Sequence, residues 1–170
     1  MKQHFTMFAA YNRWANRRVY EAASATTDEE FRSDAGVFFK SLMGTLNHIL
    51  VADRIWMKRF TGDGEAPTTL DALLYPDLAK LRKARETEDA RIVDWIATLG
   101  ANELSGRFTY MTLTDMRIVS QRLAPALAHF FNHQTHHRGQ AHAVLTALGQ
   151  PSPVLDLAAF QRTEEGRVFA

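Results

Sequence analysis

Apolar residues recur at helical spacing in four long stretches of the chain. Over residues 4–25, Phe5, Phe8, Ala9, Asn12, Ala15, Asn16 and Val19 follow an i, i+3, i+4, i+7 pattern, which predicts an amphipathic helix with two asparagines on its apolar stripe. A buried amide needs partners, so Asn12 and Asn16 either are satisfied by hydrogen bonds inside the bundle or face a polar cavity within it. Met7, Tyr11, Trp14 and Arg18 form a second, partly aromatic stripe suited to another helix or to a second subunit. A second helix is predicted over 40–60. There the residues around His48 are Ser41, Gly44, Thr45, Ala52 and Ile55, and a glycine inside a helix points to close approach by another element. Asp53 lies about 140° round the helix from His48, which suggests a surface or supporting role rather than a shared ion.

A third helix follows Pro76 and continues to about residue 99, with Leu78, Leu81, Ile92, Trp95, Ile96 and Leu99 as its apolar contribution and a charged middle, 80–91, read as a solvated face. The fourth starts near Gln121 or Leu123 and ends at Gly149, with Pro125 in its first turn and Pro151 and Pro153 beyond its end. Between these stretches, 26–30 reads as a capped turn and 61–69 as a loop. Period-two alternation over 107–113 and 117–120 predicts a small β-hairpin turning at Thr114 and Asp115. A last short helix is expected around 155–160. The pattern as a whole predicts an all-α protein: an antiparallel up-down-up-down four-helix bundle, with the hairpin before the fourth helix, in a single domain over 1–170.

Composition narrows the chemistry. Lysine plus arginine and aspartate plus glutamate nearly cancel, giving a formal net charge of +1, so the broad basic footprint of a nucleic-acid binder is missing. Arg13, Arg17 and Arg18 are a local cluster, read as a solvated helix face. No stretch approaches the roughly 18 apolar residues that span a bilayer, and the N-terminus has no uninterrupted apolar run, so a cytoplasmic protein with no membrane partner is expected. The chain has no cysteine, which excludes thiolate metal sites and a cysteine nucleophile. Any metal must be held by nitrogen and oxygen.

Four of the seven histidines fall within His129, His133, His136 and His137. Each helical residue advances by about 100°, so His129, His133 and His137 share one stripe, with His136 and Gln140 beside it. Two imidazoles at i and i+4 can reach one divalent cation from consecutive turns, and a third ligand must then come from elsewhere. His48, set among apolar residues mid-helix, is the candidate. The competing reading is an ordinary hydrogen-bonded core histidine. His142 faces away from His133, and His4 carries no signal.

The segments Tyr11-Asn12-Arg13-Trp14-Ala15-Asn16, Gly44 through Trp56, and Asn132-His133-Gln134-Thr135-His136-His137-Arg138-Gly139-Gln140 together resemble the DinB-like family, also called DinB/YfiT-like metalloenzymes. The resemblance spans most of the chain, and its last segment is the specific one. It implies a four-helix bundle, commonly a homodimer, with a divalent metal such as zinc or nickel held by three histidines near one end. Matched residue by residue, those ligands are His48, His133 and His137. His136 and Arg138 match the pattern without an assigned role. Some family members are metal-dependent S-transferases or isomerases that use a low-molecular-weight thiol such as bacillithiol or mycothiol, and many have no assigned reaction.

The expectation that follows is a metal-dependent transferase or hydrolase acting on a small molecule, with a bound thiolate or water as nucleophile. Asn12 and Asn16 are candidate cavity-lining groups, and Gln140 is a candidate donor that could orient an imidazole. The alternative is a stress-related metal-binding or interaction protein without turnover. A substrate-sized cavity at the open coordination positions would favour the enzyme, and a plugged site the binder.

Overall fold

The computed structural model describes residues 1–113 and 115–170; Thr114, expected at the hairpin turn, lies outside them. Ten elements follow in order: α1 (Lys2–Ala23), α2 (Asp28–Arg32), α3 (Leu42–Thr61), α4 (Leu78–Thr98), α5 (Ala101–Ser105), β1 (Arg107–Met111), β2 (Ile118–Arg122), α6 (Leu123–Ala147), α7 (Leu157–Gln161) and a 3-10 turn, Arg167–Phe169. Local signals account for the ends. Thr27 and Glu30 form a reciprocal capping box on α2. The Ser41 and Asp77 side chains accept from Gly44 N and Lys80 N to start α3 and α4. Gly62, at φ 75°, ends α3 in the left-handed conformation that glycine adopts without strain.

The four long helices pack in an order that departs from the sequence expectation. Helix α1 lies against α4 and α6, and α3 lies against the same two, so α1 and α3 occupy opposite corners. Cross-helix pairs give the directions. Lys2 reaches the Ala97 carbonyl and Asn16 reaches Asp89, so α1 and α4 are antiparallel. His48 meets His133 and Trp56 meets His129, so α3 and α6 are antiparallel. Asp53 pairs with Arg85 and Phe60 stacks on Trp95, which makes α3 and α4 parallel. Phe5 stacks on Phe131 and Asn12 meets Arg138, which makes α1 and α6 parallel.

The bundle therefore runs up-down-down-up and not up-down-up-down. The reason lies in the connection between α3 and α4. Residues 62–77 form a sixteen-residue crossover, which can extend to about 50 Å, whereas a twenty-residue helix is about 30 Å long. The crossover returns along the bundle and starts α4 at the same end as α3. Asn47 holds it there: its Nδ2 donates to the Tyr75 carbonyl and its Oδ1 accepts from Tyr75 N.

The charged middle of α4 is a solvated face only on one side: Lys80, Lys83 and Glu86 are exposed, whereas Arg85, Glu88 and Asp89 are buried, and Asp53 is not on the surface. Asp53, Arg85 and Asp89 are 0%, 1% and 3% exposed. Arg85 bridges Asp53 at 2.6 Å and Asp89 at 3.0 Å. Asp89 in turn accepts from Asn12 and Asn16, and Arg138 donates to both asparagine oxygens. Each of the four long helices contributes to this network. Two guanidinium groups and two carboxylates balance in charge, which is what makes their burial tolerable. Asn12 and Asn16 are thus satisfied core amides and do not line a cavity at the histidines.

The second stripe of α1 is covered by the chain's own tail. Tyr11 and Trp14 pack on Phe160, Tyr11 Oη donates to the Leu155 carbonyl, and Arg18 lies over Trp14 while donating to the Val154 carbonyl. Arg13 and Arg17 both pair with Glu165, so part of the basic cluster serves to fasten the tail. The hairpin pairs Arg107 with Arg122 through to Met111 with Ile118. Its half-buried positions Phe108 and Tyr110 lie on Phe60 and Trp56 of α3.

Candidate metal centre

The antiparallel contact of α3 and α6 brings His48, His133 and His137 together. One ring nitrogen from each lies within 4.8 Å of the others, and His48 Nε2 is 3.4 Å from His133 Nε2. Two imidazole nitrogens on a tetrahedral ion with bonds of about 2.0–2.1 Å would be about 3.4 Å apart, so the His48–His133 pair stands at the separation such an ion requires. His133 and His137 come from consecutive turns of α6, with ring centroids 4.4 Å apart.

Hydrogen bonds select the nitrogens that face inward. His48 Nδ1 is 2.7 Å from the Leu70 carbonyl, which can only accept, so Nδ1 carries the proton and Nε2 presents a lone pair towards His133. His137 Nδ1 is 2.8 Å from Gln140 Oε1, which leaves its Nε2 bare in the same way. Burial favours the neutral form that a ligand needs. It pushes His133 down to about 3 and His48 down to about 4, with neighbouring imidazoles adding to the shift and the Leu70 bond opposing it at His48. His137 is lowered too, against the opposing bond to Gln140. Three neutral imidazoles with convergent lone pairs fit a divalent cation, and none of their charges must be neutralised first.

Phe39 closes one side of the cluster. It comes from a tight turn in which Val37 bridges Lys40, and its ring stacks on His48 at 3.7 Å between centroids. Gly44 permits this approach, because a β-carbon there would collide with the Phe39 carbonyl oxygen. The other side opens on a cavity of about 260 Å³, lined by His48 and His133 together with Trp56, Arg59, Tyr110 and His129.

His129 and His136 flank the cluster without joining its three convergent nitrogens: the His136 ring lies 4.7 Å from that of His137 and the His129 ring 5.9 Å from that of His133. His129 packs on Trp56 and lines the cavity, and His136 is exposed, with Nε2 3.3 Å from Gln140 Nε2. Arg138 is buried in the charged core with its guanidinium over Tyr11. Gln140 stands beside the stripe as its position suggested, but it meets His137 through its Oε1, as an acceptor and not the expected donor, because the ring nitrogen it faces carries the proton. Sequence reasoning missed the Leu70 carbonyl, Phe39 and the cavity residues Arg59 and Tyr110. A backbone carbonyl carries no sequence signal, Tyr110 is distant in the chain from the histidines, and Phe39 and Arg59, although near His48 in sequence, reach the site only through a turn and a cavity wall that local spacing does not reveal.

A model of the DinB family matches residues 1–167. Protein DinB of Bacillus subtilis (strain 168) is 27% identical over 153 residues, which covers 86% of this chain and 87% of that protein. The crystal structure of a DinB-like protein from Bacillus cereus ATCC 10987 superposes with a TM-score of 0.64 at 17% identity, covering 83% of this chain and 90% of that one, a likeness of fold.

Proposed function

The chain belongs to the DinB family, and from that premise we propose that it is a divalent-metal-dependent enzyme acting on a small molecule, with His48, His133 and His137 as the ligands. The observation that carries the reading is the convergence of three neutral imidazoles beside a cavity. Three protein ligands leave coordination positions open, as catalytic sites do and closed structural sites do not. A plugged centre would favour a binder without turnover; the cavity of about 260 Å³ against His48 and His133 favours the enzyme.

The ion proposed is zinc or nickel, since imidazole suits both. When bound, it would lower the pKa of a coordinated water or thiol and so supply a nucleophile near neutral pH. The chain contains no cysteine, so a low-molecular-weight thiol would be the source of any thiolate. Leu70 and Gln140 orient two of the imidazoles, and Phe39 shields the face of His48 away from the cavity. The reaction proposed is thiol-dependent transfer or hydrolysis, within a single domain of 1–170 that forms a cytoplasmic homodimer. Among the described residues no helix is long and apolar enough to cross a membrane.

Elemental analysis of the purified, untagged protein tests the ligand set. Near-stoichiometric divalent metal is expected in the wild type, with loss in His48→Ala, His133→Ala and His137→Ala and little change in far-UV circular dichroism. Wild-type metal content in any of the three variants would remove that residue from the set. A wild-type protein that cannot be loaded would leave three ordinary buried histidines.

A further inference from the structure

Among the described residues, Arg59 is the one partly buried arginine whose side chain makes neither an ion pair nor a hydrogen bond. Arg54 and Arg91 pair with Glu88, Arg85 with Asp53 and Asp89, and Arg138 with two asparagines, so the fold otherwise supplies partners for its buried guanidinium groups. Arg59 has aromatic faces instead: its Cζ lies 4.8 Å from the Trp56 ring centroid and 4.6 Å from that of Tyr110. Such stacking fixes the plane of the guanidinium while leaving its N–H groups to bond elsewhere. Arg59 lines the same cavity as His48 and His133. A fixed, partly desolvated cation without a counter-charge, in a cavity walled by Ile55, Trp56, Leu70 and Leu113, is a complete recognition element for an anion.

From this geometry we infer that Arg59 is the anion-recognition residue of the pocket, and that the ligand is a small molecule with a carboxylate on an apolar or aromatic body. The inference rests on reading this cavity as the substrate pocket. The guanidinium takes the carboxylate through paired N–H donors, and the apolar walls take the body, which presents the rest of the molecule to the histidines. The volume, below the roughly 300–1,000 Å³ of common ligand pockets, restricts the class to compact molecules. Trp56 and Tyr110 act as positioning residues that hold the Arg59 plane.

The probes are benzoate and phenylacetate against their neutral amides, titrated into zinc-loaded protein by calorimetry with the Trp56 indole N–H resonance as the local reporter. The wild type should bind each acid at least tenfold more tightly than its amide, with the Trp56 resonance shifting. Arg59→Gln should bring the ratio close to one without changing metal content. Arg59→Lys, which keeps the charge but loses the planar fork, should fall between. Persistence of the preference in Arg59→Gln, its absence in the wild type, or an unmoved Trp56 resonance would each overturn the inference. His137→Ala separates this from the metal reading, because His137 does not line the cavity. Preference retained in that metal-free variant supports Arg59, and preference lost there but kept in Arg59→Gln would put the anion on the metal and overturn the inference. Metal retained in His137→Ala would count against the ligand set alone.

Discussion

His48 and His137 are each oriented by one bond from Nδ1, and the two bonds differ in what carries them. For His48 the acceptor is the backbone carbonyl of Leu70, which no side-chain substitution removes directly. For His137 it is the side chain of Gln140, three residues on along the same helix. Removing such an outer partner leaves the ligand present but less basic and freer to rotate, which typically lowers metal affinity by about 10–100-fold. Gln140→Leu should therefore weaken zinc affinity by that factor while leaving helicity intact, measured by competition with a chelator of known strength. Unaltered affinity would mean that packing against His48 and Phe39 orients the His137 ring without Gln140.

Between the long helices the strongest specification is charged rather than apolar. Arg85 of α4 ties Asp53 of α3 to Asp89, and Asp89 ties α1 through Asn12 and Asn16. Because α3 and α4 run parallel, a slip of one turn along either would separate these partners. Arg85→Met would remove the direct partner of two buried carboxylates and leave them facing the single guanidinium of Arg138, and breaking such a network by removing one partner costs about 3–5 kcal/mol. Urea unfolding should show a loss of that size, and a loss below about 1 kcal/mol would mean that Asp53 or Asp89 reaches water or binds a proton instead. The short elements act differently. The turn that carries Phe39 and the hairpin that carries Tyr110 add little core, but one closes the histidine cluster and the other walls the cavity beside it.

At the scale of the whole molecule, the histidine cluster is coupled to folding through protons. His48 and His133 are held neutral in the folded protein down to about pH 4 and 3, whereas exposed imidazoles in the unfolded chain take up protons near 6.5. Between about pH 6.5 and 4 the unfolded state binds more protons at His48. The stability associated with that group is thus complete above 6.5 and falls as the pH drops through the window. Asp53, pushed up to about 6 by burial against the pull of Arg85, contributes with the opposite sign in part of the same window. It is present in a His48→Gln variant too, so the comparison cancels it. The urea midpoint of the metal-free wild type should fall relative to that variant between pH 6.5 and 4, and parallel curves would contradict the neutral assignment of His48. Helical periodicity, caps and the i, i+4 histidines were readable from local order alone, because each depends on neighbours within about one turn. For that reason the four long helices, the hairpin, His133 with His137 and the supporting place of Gln140 all follow from the chain as written, and His48 stood out as an unexplained imidazole among apolar residues. Helix direction, the burial of Asp53, Arg85 and Asp89, the tail over Tyr11 and Trp14, and the cavity around Arg59 were decided only by the tertiary structure. Each depends on which distant segments meet, and a charged residue looks the same in a sequence whether it faces water or a buried partner.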